Sequence, residues 1–275
     1  MNDYGIKDVI SDRFKNIKKY CKRISRKFAA KDIHGFRTEV KKLRAYIRLV
    51  TSGTDDSQHY KLPKKFKGIY STAGAVRDIQ LQLERIKTVT QHEARQPEQY
   101  EALLKKKMKK KKQQLKKRLA QTSIRSIEKK VLAHLPMHFD LETIRNFVRA
   151  KTTEIRFLTG KKDEQDDDIH SIRKNLKDLM YNVKSMQHVY LVEAFPAGLS
   201  DAGKLKSVEQ LTDHLGMFTD MTAALSFTEP SYLEGIDDNE KLQLQGVRDK
   251  WIEEKNKLRQ RAINDIHAQT FISDE

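Results

Sequence analysis

Residues 32–50 read DIHGFRTEVKKLRAYIRLV, and residues 168–186 read DIHSIRKNLKDLMYNVKSM. In this alignment Asp32/Asp168, Ile33/Ile169, His34/His170, Arg37/Arg173, Lys41/Lys177 and Leu43/Leu179 are identical. Phe36/Ile172, Val40/Leu176, Ile47/Val183 and Val50/Met186 are apolar in both. Steps of three and four between the apolar residues put them on one face of an α-helix. Two amphipathic helices with one pattern, so far apart in the chain, point to an internal duplication.

The helical period continues outward from this pair. Ile6, Ile10, Phe14, Ile17, Cys21, Ile24 and Phe28 form a single stripe, so a helix is expected over about 3–29. The first repeated helix is expected to start near Asp32, a good N-cap residue, and to run to about Val50 with Gly53 as its stop. Further helices are expected over about 64–92, 98–134, 140–159, 168–192, 203–227 and 239–270. The punctuation repeats as well. Pro63 and Pro196 both follow the repeated helix, and Pro97 and Pro230 both follow the next one. Within that next helix, Gly74-Ala-Val-Arg-Asp78 is echoed by Gly216-Met-Phe-Thr-Asp220. No stretch alternates as a strand would, and 11 Gly with 5 Pro in 275 residues disfavour a loop-rich or all-β chain. The expected fold class is all-α: two four-helix bundle units from an internal duplication, about 3–136 and about 138–272, within a single domain spanning 1–275. Long antiparallel helices would pack about a pseudo-twofold around a shared basic groove.

Charge narrows the function. The formal net charge is +17, but residues 1–134 hold 36 Lys+Arg against 13 Asp+Glu and the remainder 19 against 25. The excess therefore sits in the first half, where it sets up a strong local field. Its densest part is 105–118, KKKMKKKKQQLKKR, with no acid. That run reads either as a solvated helix face or as a patch for a polyanion. The one cysteine, Cys21, excludes an intramolecular disulfide framework and a cysteine-built zinc site. No apolar run is long enough for a membrane span and no apolar signal core follows the start, so the default location is cytoplasmic.

The repeated helix presents its cations in a row. On a wheel of about 100° per residue, His34, Arg37, Lys41, Arg44 and Arg48 fall in a stripe roughly 80° wide beside the apolar face. The second copy places His170, Arg173, Lys177 and Lys184 likewise, with Met180 where the first has Arg44. One charged flank beside an apolar face is ordinary, because long stems snorkel over the core edge. This one contains no acid and recurs in the second unit. A row of cations along a helix suits an anionic polymer, with Arg as a planar fork for phosphate oxygens and Lys as a point charge. His34 and His170 are expected in the first helical turn, where the dipole and free N–H groups favour an anion that would in turn raise the histidine pKa.

The pattern His34-x-x-Arg37-x-x-x-Lys41-x-Leu43-Arg44-x-Tyr46, repeated as His170-x-x-Arg173-x-x-x-Lys177-x-Leu179, resembles the conserved-histidine α-helical domain, CHAD. The Gly74-x-x-Arg77-Asp78 and Gly216-x-x-Thr219-Asp220 segments stand where that family has its Gly-x-x-Arg-Asp element. The resemblance runs over essentially the whole chain in two copies. It implies two four-helix units and non-catalytic binding of inorganic polyphosphate in a central basic groove, and it adds polyphosphate granules as a place of association. Carried over residue by residue, its anion-binding positions are His34, Arg37, Lys41, Arg44, His170, Arg173 and Lys177. Asp178, Met180 and Thr219 depart from a fully basic second copy, so a lopsided site dominated by the first repeat is expected. Gly74 and Gly216 read as points of close helix approach, and Asp78 and Asp220 as local partners for groove cations rather than catalytic groups.

Other chemistry finds little support. There is no GxxxxGK[ST] loop, no HExxH and no alternating acidic ExExK signature. The acidic 163–168 segment could collect a divalent cation, but reads better as a solvated linker charging the next helix N-terminus. No catalytic residue, metal site or cofactor is expected, and hydrolysis would need positioned metals or an activated nucleophile. Two alternatives stand beside the polyphosphate reading. One is nucleic-acid binding through 105–118, although aromatics do not interleave with the cations. The other is a metal-dependent polyphosphate hydrolase or transferase.

Overall fold

The computed structural model describes residues 5–52, 60–93, 95–136, 140–186, 195, 199 and 201–268. Among these the chain is helical throughout, with no strand. The α-helices are α1 (Ile6–Lys27), α2 (Ala30–Val50), α3 (Lys64–Val89), α4 (Glu98–Ala120), α5 (Ile124–His134), α6 (Leu141–Thr159), α7 (Asp166–Met186), α8 (Ala202–Ser226) and α9 (Asp238–His267). Pro230–Tyr232 forms one 3₁₀ turn before α9. Gly53, Pro196 and the expected helix ends at 187–192 and 269–270 lie outside the described residues.

Two expectations are corrected. The helix expected over 98–134 is two helices, because Ser123 caps α5 by accepting from the Ser126 backbone N–H at 3.2 Å. A serine within an otherwise continuous periodic run is a helix-start signal. Asp32 is not the N-cap of α2, which begins at Ala30. It is buried in the first turn, 3.6 Å from Arg23 of α1, where a carboxylate also favours the helix dipole. Its counterpart Asp168 in α7 accepts from the Gln165 backbone N–H at 2.9 Å and from Lys161 at 2.6 Å.

The two repeated helices, α2 and α7, pack against each other. Helices α1 and α3 flank α2, α6 and α8 flank α7, α4 packs on α3, and α9 packs on α8. The order of neighbours in α1–α4 thus recurs in α6–α9, while α5 packs on α1. Apolar stripes drive this arrangement. Ile6, Ile10, Phe14, Ile17, Cys21 and Ile24 are all buried, as are Ile33, Phe36, Val40, Leu43 and Ile47 with their counterparts Ile169, Ile172, Leu176, Leu179 and Val183. Each such burial contributes about 1.5–3 kcal/mol relative to exposure. The main core draws on both halves of the chain, and a smaller cluster joins Ile79, Ile86, Tyr100 and Leu104 to Met221, Leu244, Val247 and Trp251. At that second cluster Glu240 of α9 accepts from the backbone N–H groups of Gln99 (3.1 Å) and Tyr100 (2.6 Å), satisfying free donors at the start of α4.

The α2–α7 seam is tied by polar contacts. Asn182 donates to the Ala45 carbonyl at 3.2 Å, fully buried. The Arg48 guanidinium grips both oxygens of the buried Asp178 carboxylate, with Nε at 2.9 Å from Oδ2, and Lys151 of α6 approaches it to 3.7 Å. This seam brings the two cation rows to one place. No helix among the described residues is long and apolar enough to cross a membrane.

Candidate functional site

Lys41 is where the two rows meet. It lies within electrostatic reach of Arg37 on its own helix and of Arg173 and Lys177 on α7. Burial and then these cations push its ammonium down from 10.5 to about 8, with Asp220 offsetting part of the shift. His34 is held low by burial and by Arg77, Lys41 and Arg37, and His170 by burial and by Arg173, Lys174 and Lys41. Burial and an excess of cations thus act in the same direction at all three groups, and Asp220 offsets part of the effect at Lys41 and His34.

The arginines are seated by the helices that follow. The Arg37 guanidinium lies on the bare backbone at Gly74 of α3, where a Cβ would run into it. Its Cζ is 5.0 Å from the centroid of the Tyr70 ring, one turn away, and Arg44 approaches the same ring to 5.8 Å. Cation–π contact holds the two guanidiniums beside Tyr70. In the second half Arg173 lies at Gly216, looser, with its nearest atom 3.3 Å from a hypothetical Cβ. Its Nε is buried without an acceptor among the described residues. The two glycines thus make room for guanidinium groups, which corrects their reading as points of helix–helix approach. The glycine and the spacing were legible, but the guanidinium seat was not.

Each remaining expected residue has a definite place. Arg44 is exposed at the rim. Arg48 is taken up by Asp178. Lys177 is 3.3 Å from the exposed Asp213, and Lys184 is paired with Glu209. The second row is therefore more heavily neutralised than the first. His34 and His170 are each the fifth residue of their helix, one turn beyond the position expected, because α2 and α7 begin earlier. Their backbone N–H groups are past the free end, so burial and then the neighbouring cations set their environment. Asp78 is half-buried, and burial raises its pKa against the lowering effect of Arg37. Asp78 and Asp220 influence each other and the cations through space, and neither makes an ion pair within 4 Å among the described residues. Residues the sequence reading missed are Tyr70, whose signal was its place one turn before Gly74, and the neutralising acids Asp213 and Glu209.

The acidic 163–168 segment serves structure. Asp166 meets Lys255 at 2.5 Å and Arg259 at 3.3 Å, both on α9. Among the described residues no group of three His, Cys, Asp or Glu could hold a metal ion. The lysine-rich α4 packs by Tyr100, Leu104 and Leu115, and Lys107 stands 3.2 Å over the Tyr232 ring.

The seat of Arg37 gives a first prediction. Gly74→Ala removes a helix-weakening residue, worth up to about 1 kcal/mol, but displaces the guanidinium. Thermal unfolding is expected to stay at or above the parent value while polyphosphate affinity falls several-fold. Gly216→Ala, with its longer contact, is expected to bind nearly as the parent does. Titration of both variants checks this, and equal losses would contradict it.

Lys41 gives a second. Its folded pKa lies below the ordinary lysine value, so its charge opposes folding at neutral pH, and this cost fades as pH rises past about 8. Lys41→Met is expected to stabilise the fold at pH 7 by on the order of 1–3 kcal/mol in denaturant unfolding. A bound polyanion would restore the proton, so affinity is expected to fall as pH rises from 7 to 9. Lys41→Arg, charged throughout, should flatten most of that slope.

An all-helical fold whose two central helices bring histidine, arginine and lysine rows together defines a class of basic helical proteins. A family model for the CHAD domain matches residues 8–229, and the chain belongs to that family. Its structure is similar to the CHAD domain from the plant Ricinus communis, with a TM-score of 0.71 and 14% identity over 96% of this chain and 91% of that one. It is also similar to PptA from Streptomyces chartreusis, with a TM-score of 0.66 and 12% identity over 96% of this chain and 98% of that one. At such identities the likeness concerns the fold. No curated protein matches the chain.

Proposed function

We propose that the protein binds inorganic polyphosphate, without catalysing its turnover, in a basic groove where the α2 and α7 rows meet. We read α1–α4 and α6–α9 as two copies of one unit related by a pseudo-twofold. The single observation that carries the reading is the gathering of Arg37, Lys41, Arg173 and Lys177 from two helices at one half-buried place, where burial first and the neighbouring cations second bring the Lys41 ammonium down to about 8. Folding alone gives no reason to hold these cations so close, only Lys177 of the four having an acid partner among the described residues, Asp213, whereas a polyanion threading between them would neutralise them all. The buried, unpartnered Nε of Arg173 is a donor awaiting an acceptor such as a phosphate oxygen. His34 and His170 would take up protons as the polyanion arrives. The binding residues are His34, Arg37, Lys41, Arg44, His170, Arg173 and Lys177. Arg48 and Lys184, already ion-paired, act at the edge of the groove. The single, buried, free Cys21 fits a cytoplasmic setting.

Binding is expected to be electrostatic and to weaken steeply with salt through counterion release. Long-chain polyphosphate should displace DNA or RNA at matched charge concentration. Preferential retention of nucleic acid would favour the lysine-rich α4 as the binding element instead. Phosphate release from polyphosphate with added Mg²⁺ or Mn²⁺ would mark the protein as a hydrolase.

A further inference from the structure

A cavity of about 450 Å³ opens between α2, α3 and the segment 60–62, beside the cation row. Its size lies within the range of small-molecule sites, roughly 300–1,000 Å³. Val40, Ile47, Leu62 and Phe66 supply an apolar floor. Tyr60, Tyr70 and Ser71 also line it, two aromatic residues and three hydroxyl-bearing ones. The rim carries Arg44, Lys61 and Lys67, none of which makes an ion pair among the described residues, while Arg48 is neutralised by Asp178. Tyr70 belongs to both places: it lines this cavity and bears Arg37 and Arg44. The cavity therefore opens directly onto the first cation row.

This chemistry excludes two simple occupants. A bare phosphate chain against the apolar floor would lose its hydration without gaining donors there. An aliphatic tail would strip water from three hydroxyls and leave them unpaired. An occupant with a flat heteroaromatic ring and an anionic head satisfies every wall. The ring packs between the tyrosines, its polar edge meets the hydroxyls, and its phosphates lie on the rim cations. We propose that this cavity binds a nucleoside triphosphate, with the base between Tyr60 and Tyr70 and the phosphates running from Lys61, Lys67 and Arg44 towards Arg37. The proposal goes beyond polyphosphate binding, since it assigns a separate cavity and a different ligand, and it does not require that inorganic polyphosphate bind.

The test is calorimetric titration of the full chain with ATP and, separately, with tripolyphosphate, which has the phosphates without the ring. Tyr60→Ala removes one lining ring, and Ser71→Phe fills the cavity from an exposed position on α3. Both variants are expected to weaken ATP binding tenfold or more and to change tripolyphosphate binding less than twofold. Absence of ATP binding to the parent, or equal changes for both ligands, or unchanged ATP affinity in the two variants, would overturn the proposal. If tripolyphosphate fails to bind while ATP binding still depends on Tyr60 and Ser71, the cavity stands and the polyphosphate reading falls.

Discussion

Replacing Arg37 and Lys41 together by alanine is expected to lower affinity for long-chain polyphosphate by about 100-fold, against about tenfold for Arg173 and Lys177 together. Charge-assisted hydrogen bonds are worth about 1.5–3 kcal/mol each, and about 1.4 kcal/mol is a factor of ten, so even at the lower end two well-seated cations account for about two orders of magnitude. The first pair is the better seated. Arg37 is fixed between the Gly74 backbone and the Tyr70 ring, and Lys41 sits at the meeting point of both rows. In the second pair, Lys177 must give up Asp213, and Arg173 has a looser seat at Gly216. The salt dependence should change too, each lost phosphate contact reducing the slope of log affinity against log salt by about 0.7–0.9. Equal losses for the two pairs would overturn the lopsided site.

The lopsidedness was legible in part. Met180 at the position of Arg44, and Thr219 at that of Arg77, are plain in the aligned repeats. The helices themselves were legible because apolar steps of three and four survive in every one, and buried faces of α2 and α7 fall on the residues the period assigns. Ends were read less well. The lysine run masked Ser123 because local charge carries no periodic signal, and Asp32 has the chemistry of an N-cap but is held by Arg23 across the α1–α2 turn. The role of the glycines was hidden for a different reason. Sequence shows that a helix tolerates a residue it would rather not have, but which atoms fill the vacant Cβ position depends on how α2 is rotated against α3. The same holds for neutralisation of the second row. Asp213 and Glu209 are on α8, and only the packing of α7 on α8 brings them to Lys177 and Lys184.

Asp178 shows the largest gap between the two views, and its replacement is expected to have the largest effect on stability. In the aligned repeats it is an acid that spoils a basic row. In the fold it is buried at the α2–α7 seam, gripped by Arg48 and approached by Lys151 from α6, so one carboxylate joins three helices. Asp178→Ala leaves two cations facing each other in a sheltered place, and removing one partner of such a cluster costs about 3–5 kcal/mol. Burial already lowers the Lys151 pKa, Asp178 works against that fall, and Arg48 adds to it. Without Asp178 the Lys151 pKa drops further below its unfolded value. The variant is therefore expected to regain part of its stability as pH rises and Lys151 gives up its proton. Denaturant unfolding at pH 7 and pH 9, with an unchanged slope, measures both effects. Arg48→Met with Asp178→Leu removes the strongest pair as a unit and should recover most of the loss, since apolar replacements of buried pairs are often neutral. A cost for Asp178→Ala below about 1 kcal/mol, the range of surface pairs, would mean that the seam is held by apolar packing and Asn182 alone.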